Sequence, residues 1–416
     1  MKDRTYIILS LSIYGINGAV QYLYNKYKAL EKMGYNVLIF TGNPGNIVKQ
    51  LSKVYITDLA EFEKIIIPEL QYYPSYFTRS RQDEIVNKIY SIASKMGTEY
   101  IVESNSIATA EWGEMLAKKL NAINFWFDLQ ESHNYTNDEI EFVKFKLDQG
   151  LIAGISPESI QLMLKNQTYP GETKISFLAH CSNSVQDIHY ELEREIEDSD
   201  IKIGCIGRLN KPYVFVTLQS IIQYICKHDD KMFSVILIGG APDKDIQAIK
   251  YMFEGVCNAH LFITDYIYPI PRNLVREMNV FVSSSGSAVA SMCEGVPTIV
   301  IDAETKQPFG ILDYTVENDV YGENKGISLE KYLDMVLFDD FCISHAKLGL
   351  QENFSTFDYC DEVSAQLKYM DKGKKNYYDI HTIKTNKSSQ IILKMVGLIF
   401  GSKVLDRLRR FVYWKG

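Results

Sequence analysis

Hydrophobic positions along this chain fall into short apolar runs separated by amphipathic stretches. Thr5–Ser12 is an apolar run of strand length. A Gly15-Ile16-Asn17-Gly18 loop follows, and then Val20, Leu23, Tyr24, Tyr27, Leu30 and Met33 recur at helical spacing. That spacing predicts a helix with one buried face. Gly34 ends it, and Tyr35–Thr41 reads as the next strand. Two strands joined by a crossover helix pair in parallel. The alternation continues through strand Glu99–Glu103, helix Ala108–Leu120, strand Ile123–Phe127, helix Glu139–Gln149 and a strand beginning at Leu151.

A second series starts after the acidic stretch Glu191–Asp200. It runs through strand Ile201–Ile206, helix Val216–Lys227, strand Ser234–Ile238, helix Asp245–Phe253, strand His260–Ile263 and helix Arg272–Glu277. It continues with strand Val280–Val282, a Ser/Gly turn, helix Ala288–Cys293 and strand Thr298–Ile301. Asp358–Tyr369 reads as the last helix of the packed body. Two α/β series predict two Rossmann-like, doubly wound domains with a cleft between the C-terminal edges of their sheets. The expected limits are 1–190 and 201–370, with an allowance that the last helix returns to the first domain. A tail of different character spans 371–416.

A length of 416 residues agrees with two domains. The net charge of −8 argues against nucleic acid as the main partner. Seven scattered cysteines without a C-x-x-C pair fit a reducing compartment better than a disulfide framework or a zinc site. No stretch approaches the 18 or so apolar residues of a spanning helix. The apolar start after Lys2 and Arg4 reads as a strand rather than a leader, because Asp3 interrupts the basic start and no small-residue cleavage site follows.

Candidate chemistry gathers just past strand ends. In the first domain these are Gly18, then Glu103 and Asn105, then Asp128, Glu131 and His133. In the second they are Arg208 and Lys211, Gly240, and Ser285, Gly286 and Ser287. A Ser/Gly turn opening a helix offers hydroxyls, free N–H groups and the positive end of the helix dipole to an anion. Arg and Lys add two cations, and the set suits a diphosphate. Asp243-Lys244-Asp245 has the spelling of a metal site but opens a helix, so it reads as capping and no metal is predicted.

From Ser389 to Gly416 six basic side chains stand against the single acid Asp406, a net +5. Apolar residues fill the other positions. This predicts a basic amphipathic helix of the kind that lies on anionic membranes.

The chain resembles the two-domain glycosyltransferases of the GT-B class, most closely glycosyltransferase family 4. The carriers are GINGAVQY at 15–22, the D-x-x-E of Asp128 and Glu131, IGRLNK at 206–211, LIGG at 237–240 and CEGVPTIVID at 293–302. The resemblance implies a nucleotide-sugar co-substrate, no cofactor, and a second domain that binds the donor with Arg208 and Lys211 on its diphosphate. Gly18 would approach the donor from the first domain, and Glu103 and Asn105 would stand on the acceptor side. Asp128, Glu131 or His133 would act as base or orient the acceptor. That family carries two glutamates around the Ser/Gly turn, and here Ala290 stands where the second would fall. With the tail, the resemblance implies a cytoplasmic enzyme, peripheral on the inner face of the cell membrane, acting on a lipid-linked glycan in capsule, O-antigen or exopolysaccharide assembly. The missing glutamates motivate an alternative, a catalytically silent partner or chaperone subunit of another transferase.

Overall fold

Six strands form the first sheet: β1 (Arg4–Ser12), β2 (Asn36–Asn43), β3 (Ile65–Ile66), β4 (Glu99–Ser104), β5 (Ile123–Phe127) and β6 (Ile152–Ala153). They lie in the order β3-β2-β1-β4-β5-β6, and every pair is parallel. The computed structural model describes residues 3–13, 18–43, 64–130, 133–178, 185–191, 196, 198–267, 269–322, 326–355, 358–384, 388–402 and 404–405. The chain divides into two units. The first holds this sheet and the residues from 358 onward, and the second holds the described residues from 185 to 355.

The helices of the first unit have local causes. Helix α1 (Gly18–Lys32) follows β1, and α2 (Arg79–Ala93) starts at Thr78, whose hydroxyl accepts from Arg81 N. Helix α3 (Ile107–Leu120) opens on a capping box of Ser106 and Thr109 and ends at Asn121 in the left-handed region. Helix α4 (Asn137–Gln149) opens on a second box, Thr136 with Glu139, and ends at left-handed Gly150. Ile7, Phe40 and Val102 pack with Trp112 and Leu116 in one core cluster, and Trp126 and Ile152 with Phe142 and Val143 in another.

The second unit repeats the design. Its strands are β7 (Val185–Gln186), β8 (Ile201–Ile206), β9 (Phe233–Ile238), β10 (Ala259–Ile263), β11 (Ile270–Pro271), β12 (Val280–Ser283), β13 (Thr298–Ile301) and β14 (Pro308–Ile311). The main sheet has the order β10-β9-β8-β12-β13-β14, parallel except for antiparallel β14, and β7 pairs with β11 apart from it. Helices α5 (Pro212–Lys227), α6 (Asp243–Met252), α7 (Gly286–Cys293), α8 (Leu329–Leu337) and α9 (Leu350–Ser355) surround it. Both units are therefore Rossmann-like doubly wound α/β layers, as the strand–helix alternation predicts.

Several details differ from the sequence expectation. The buried face of α1 comprises Val20, Gln21, Tyr22, Leu23, Lys26, Ala29 and Leu30, rotated away from Tyr24 and Tyr27 because Lys26 is drawn inward. Helix α5 starts at Pro212, four residues before the expected Val216, with Pro at the first position, where its missing N–H costs nothing. Asp243 and Asp245 lie within the first turn of α6, and neither side chain caps it. The strand expected from Leu151 shrinks to two residues. The last packed helix, α10 (Tyr359–Met370), lies against α1, and α11 (Ser388–Phe400) packs on the Pro74–Tyr76 turn of the first unit. Of the basic tail residues, Lys394 lies in α11, whereas Lys403, Arg407, Arg409, Arg410 and Lys415 are outside the described residues.

Candidate functional site

In the second unit the strand order reverses at β8, with β9 on one side and β12 on the other. Open α/β sheets bind ligands outside the C-terminal ends of the strands at such a point. The loop after β8 runs from Gly207 to Lys211, the N-cap residue of α5. Gly207 N donates to Ile238 O at 3.0 Å, and Leu209 N donates to Gly240 O at 3.0 Å. These bonds lay the loop along the end of β9. Gly239 has φ +149°, and a Cβ there would sit 1.9 Å from Gly207 O. Only glycine permits that approach of two backbones.

The turn after β12 comes to the same place. Ser283 Oγ accepts from Ile206 N at 3.1 Å, which ties the end of β12 to the end of β8. The Ser284 side chain is buried, and its hydroxyl has no hydrogen-bond partner among the described residues. Ser285 adopts φ +56° and ψ −148°, a conformation nearly confined to glycine. Its carbonyl accepts from Ala288 N at 2.8 Å and opens α7. A Cβ on Gly207 would lie 3.5 Å from Ser287 Oγ and 3.6 Å from the Tyr213 hydroxyl. The structure thus brings the Gly207–Lys211 loop, Gly240 and the 285–287 turn to one sheet edge.

The charges there are mixed: the Asp265 carboxylate stands beside Gly240, where a Cβ would lie 2.6 Å from its Oδ1. Arg208 is exposed, and among the described residues its guanidinium has no hydrogen bond or ion pair. The Lys211 ammonium lies 5.7 Å from the Tyr213 ring centroid. Burial pushes the Cys205 thiol up to about 12, against the opposing pull of Ser283 and Lys211, so this thiol stays neutral. Two cations, serine hydroxyls and the N-terminus of α7 form an arrangement able to neutralise a diphosphate.

In the first unit, Asp128 directly follows β5 and is fully buried. Its carboxylate accepts from Trp126 Nε1 at 3.1 Å and Gln130 N at 3.3 Å, and lies 2.7 Å from His133 Nε2. A carboxylate in that position calls for a proton on Nε2 and fixes the orientation of the ring. The His133 side chain is 1% exposed, and among the described residues Nδ1 has no hydrogen-bond partner. A carboxylate-held imidazole with an unused nitrogen is an arrangement suited to accepting a proton. Glu131 lies outside the described residues, as do Gly15, Ile16 and Asn17; Gly18 is the first residue of α1.

Glu103 and Asn105 are brought together in the interior. The Glu103 carboxylate accepts from the Tyr6 hydroxyl at 2.6 Å, the Tyr22 hydroxyl at 2.9 Å and Asn105 Nδ2 at 2.9 Å, and it pairs with the Lys26 ammonium. Lys26 also donates to the Gln366 amide oxygen on α10. Lys26 and Glu103 are both fully buried. The polar strand end at Glu103 gave no sign of these partners, which come from β1, α1 and α10. The one local signal was Lys26 four residues after Tyr22 on the inner face of α1.

No protein-family profile matches the sequence, and no curated protein matches it. Solved structures do. A glycosyltransferase from Rickettsia africae superposes with a TM-score of 0.60 at 14% identity, covering 89% of this chain and 98% of that one. TarM gives 0.58 at 9% identity, covering 89% and 99%. The Anabaena protein HepE, in complex with UDP and glucose, gives 0.56 at 11% identity, covering 88% and 98%. At these identities the likeness is one of fold, and the fold is that of the GT-B glycosyltransferases.

Proposed function

We propose that the protein is a glycosyltransferase that moves a sugar from a nucleotide-sugar to a lipid-linked glycan during assembly of a cell-surface polysaccharide. The observation that carries the reading is the meeting of Gly207–Lys211, Gly240 and Ser285–Ser287 at the switch point of the second unit. The UDP and glucose held by HepE, a protein of the same fold, support a uridine diphosphate-sugar as donor class.

In the reaction, the bond between the sugar C1 and the diphosphate oxygen breaks, and its electron pair leaves with the nucleotide. Arg208, Lys211 and the N-terminus of α7 offset the charge that develops there. In an inverting transfer the acceptor hydroxyl attacks C1 and gives its proton to a base, for which the sequence offers Asp128, Glu131 and His133. In a retaining transfer these residues orient the acceptor. Glu131 and Gly18 are assigned to acceptor and donor by sequence position. Glu103 and Asn105 act through the packing of the first unit rather than on the acceptor. The tail from Ser389 binds an anionic membrane surface and keeps a cytoplasmic enzyme beside its lipid-linked acceptor.

The test offers the purified chain UDP-, GDP-, dTDP- and CMP-sugars and measures free nucleotide. Release from one donor is expected, with kcat/KM reduced roughly 10- to 150-fold in Arg208→Ala, the loss of a hydrogen bond to a charged group. A chain that neither releases nor binds any nucleotide is the silent partner subunit instead.

A further inference from the structure

Helix α11 has an outer face that none of the described residues of its unit covers. At 100° per residue, Ile391, Ile392, Met395, Leu398 and Ile399 fall within an arc of about 120°. Ile392 is 64% exposed, Met395 57% and Ile399 67%, and Phe400 at the helix end is 60% exposed. The opposite arc carries Leu393, Val396 and Gly397. Leu393 and Val396 pack with the first-unit core cluster that includes Tyr76 and fully buried Leu405. Gly397 is the contact point, because a Cβ there would lie 2.4 Å from Tyr76 O. Just beyond the helix, Ser402 Oγ donates to Glu69 at 3.0 Å, and Glu69 is also paired with Arg81.

The helix is therefore held on its inner side and apolar on its outer side. A contiguous exposed apolar row of this kind marks an interaction surface. Thirteen residues span about 20 Å, against a hydrocarbon core of about 30 Å. Among the described residues no helix is long and apolar enough to cross a membrane. Charge selects the occupant. The segment from Ser389 carries +5 in a chain of −8, so the rest carries −13. An anionic surface repels the body and attracts this end alone.

We propose that α11 is an in-plane membrane seat: its Ile391/Ile392/Met395/Leu398/Ile399 face enters the headgroup boundary of an anionic bilayer while its Leu393/Val396/Gly397 face stays clamped to the first unit. This rests on the membrane reading above and specifies it. The bilayer is bound by the unit that carries the Asp128–His133 pair, through a fixed helix rather than a flexible basic tether. Apolar insertion supplies affinity and the basic residues supply the preference for anionic lipid.

The experiment sediments the full chain with vesicles of phosphatidylcholine alone or with one quarter phosphatidylglycerol, and compares Ile392→Ser/Ile399→Ser. Wild type is expected to bind the anionic vesicles. The double variant should bind them about tenfold or more weakly, with unchanged thermal unfolding and unchanged vesicle-free nucleotide release. Equal binding of variant and wild type overturns the apolar seat and leaves a purely electrostatic tail. No vesicle binding by wild type overturns the membrane reading itself. A wild-type dimer that becomes monomeric in the variant assigns the face to a second copy and overturns the proposal. Vesicle binding without nucleotide release from any donor upholds the seat while removing the transferase reading.

Discussion

Glu103→Gln should destabilise the first unit by about 3–5 kcal/mol at pH 7, the usual cost of breaking a buried ion pair from one side. The magnitude has a ceiling set by its partner. Burial lowers the pKa of Lys26, and the Glu103 carboxylate is the largest opposing influence. Without that carboxylate, Lys26 folds best as the neutral amine. Stripping its proton at pH 7, from an ordinary value of about 10.4, costs about 4.6 kcal/mol. The ceiling falls by about 1.4 kcal/mol for each unit of rising pH. The sign follows from linkage: the folded variant binds one proton fewer than its unfolded chain, so its stability rises with pH. The penalty relative to wild type should therefore shrink by about 2.7 kcal/mol between pH 7 and pH 9. Urea unfolding followed by tryptophan fluorescence measures it. Trp112 and Trp126 are buried in the first unit, and residues 185–355 contain no tryptophan, so the signal is specific. A penalty below about 1 kcal/mol that does not change with pH would refute the ion-pair account. Intact stability with lost sugar transfer would return Glu103 to the acceptor side.

Two further outcomes follow from the same physics. Burial first, and Glu139 next, push the Glu111 carboxyl well above its ordinary range, and among the described residues its Oε1 has no hydrogen-bond partner. A raised acid contributes stability below its unfolded pKa of about 4.3 and loses it as pH rises through the folded value, so Glu111→Gln should gain on wild type by at least about 1 kcal/mol between pH 4.5 and pH 8; a constant difference in urea melts excludes this. Gly239→Ala places a methyl against Gly207 O at a φ that L-residues avoid, and should cost about 2–3 kcal/mol, or roughly 5–10 °C in the calorimetric transition of the second unit, with weakened nucleotide binding. An unshifted transition would show that the two loops can part freely.

Legibility in the sequence followed the range of the interactions. Units such as β1-α1-β2 were readable because their apolar spacing and the stop at Gly34 are local. Strand β3 is two residues long and has no period to detect. The early start of α5 has a local signal in Pro212, although the apolar run begins only at Val214. Asp128 and His133 are five residues apart, so spacing alone paired them. Lys26 and Glu103 are 77 residues apart and Lys26 and Gln366 are 340 apart, so no local pattern could pair them. Each switch-point loop is a polar strand end and legible by itself. That Gly207 meets Ser287 depends on β12 lying beside β8 rather than beside β11, a fact of strand order.

No glutamate stands in the Ser/Gly turn at the switch point. Glu294, the acid nearest the turn in sequence, accepts from Arg272 Nε at 2.9 Å and Arg276 Nε at 3.0 Å. Its charge is spent on the short helix after β11 and does not replace a carboxylate at Ala290, which is buried on α7. Neither Gly207–Lys211 nor Ser284–Ser287 contains an acid. A carboxylate beside an incoming diphosphate would repel it, and the repulsion grows as water is excluded. Here Arg208, Lys211 and the start of α7 are set against the Asp265 carboxylate, whose Oδ1 would lie 2.6 Å from a Cβ on Gly240.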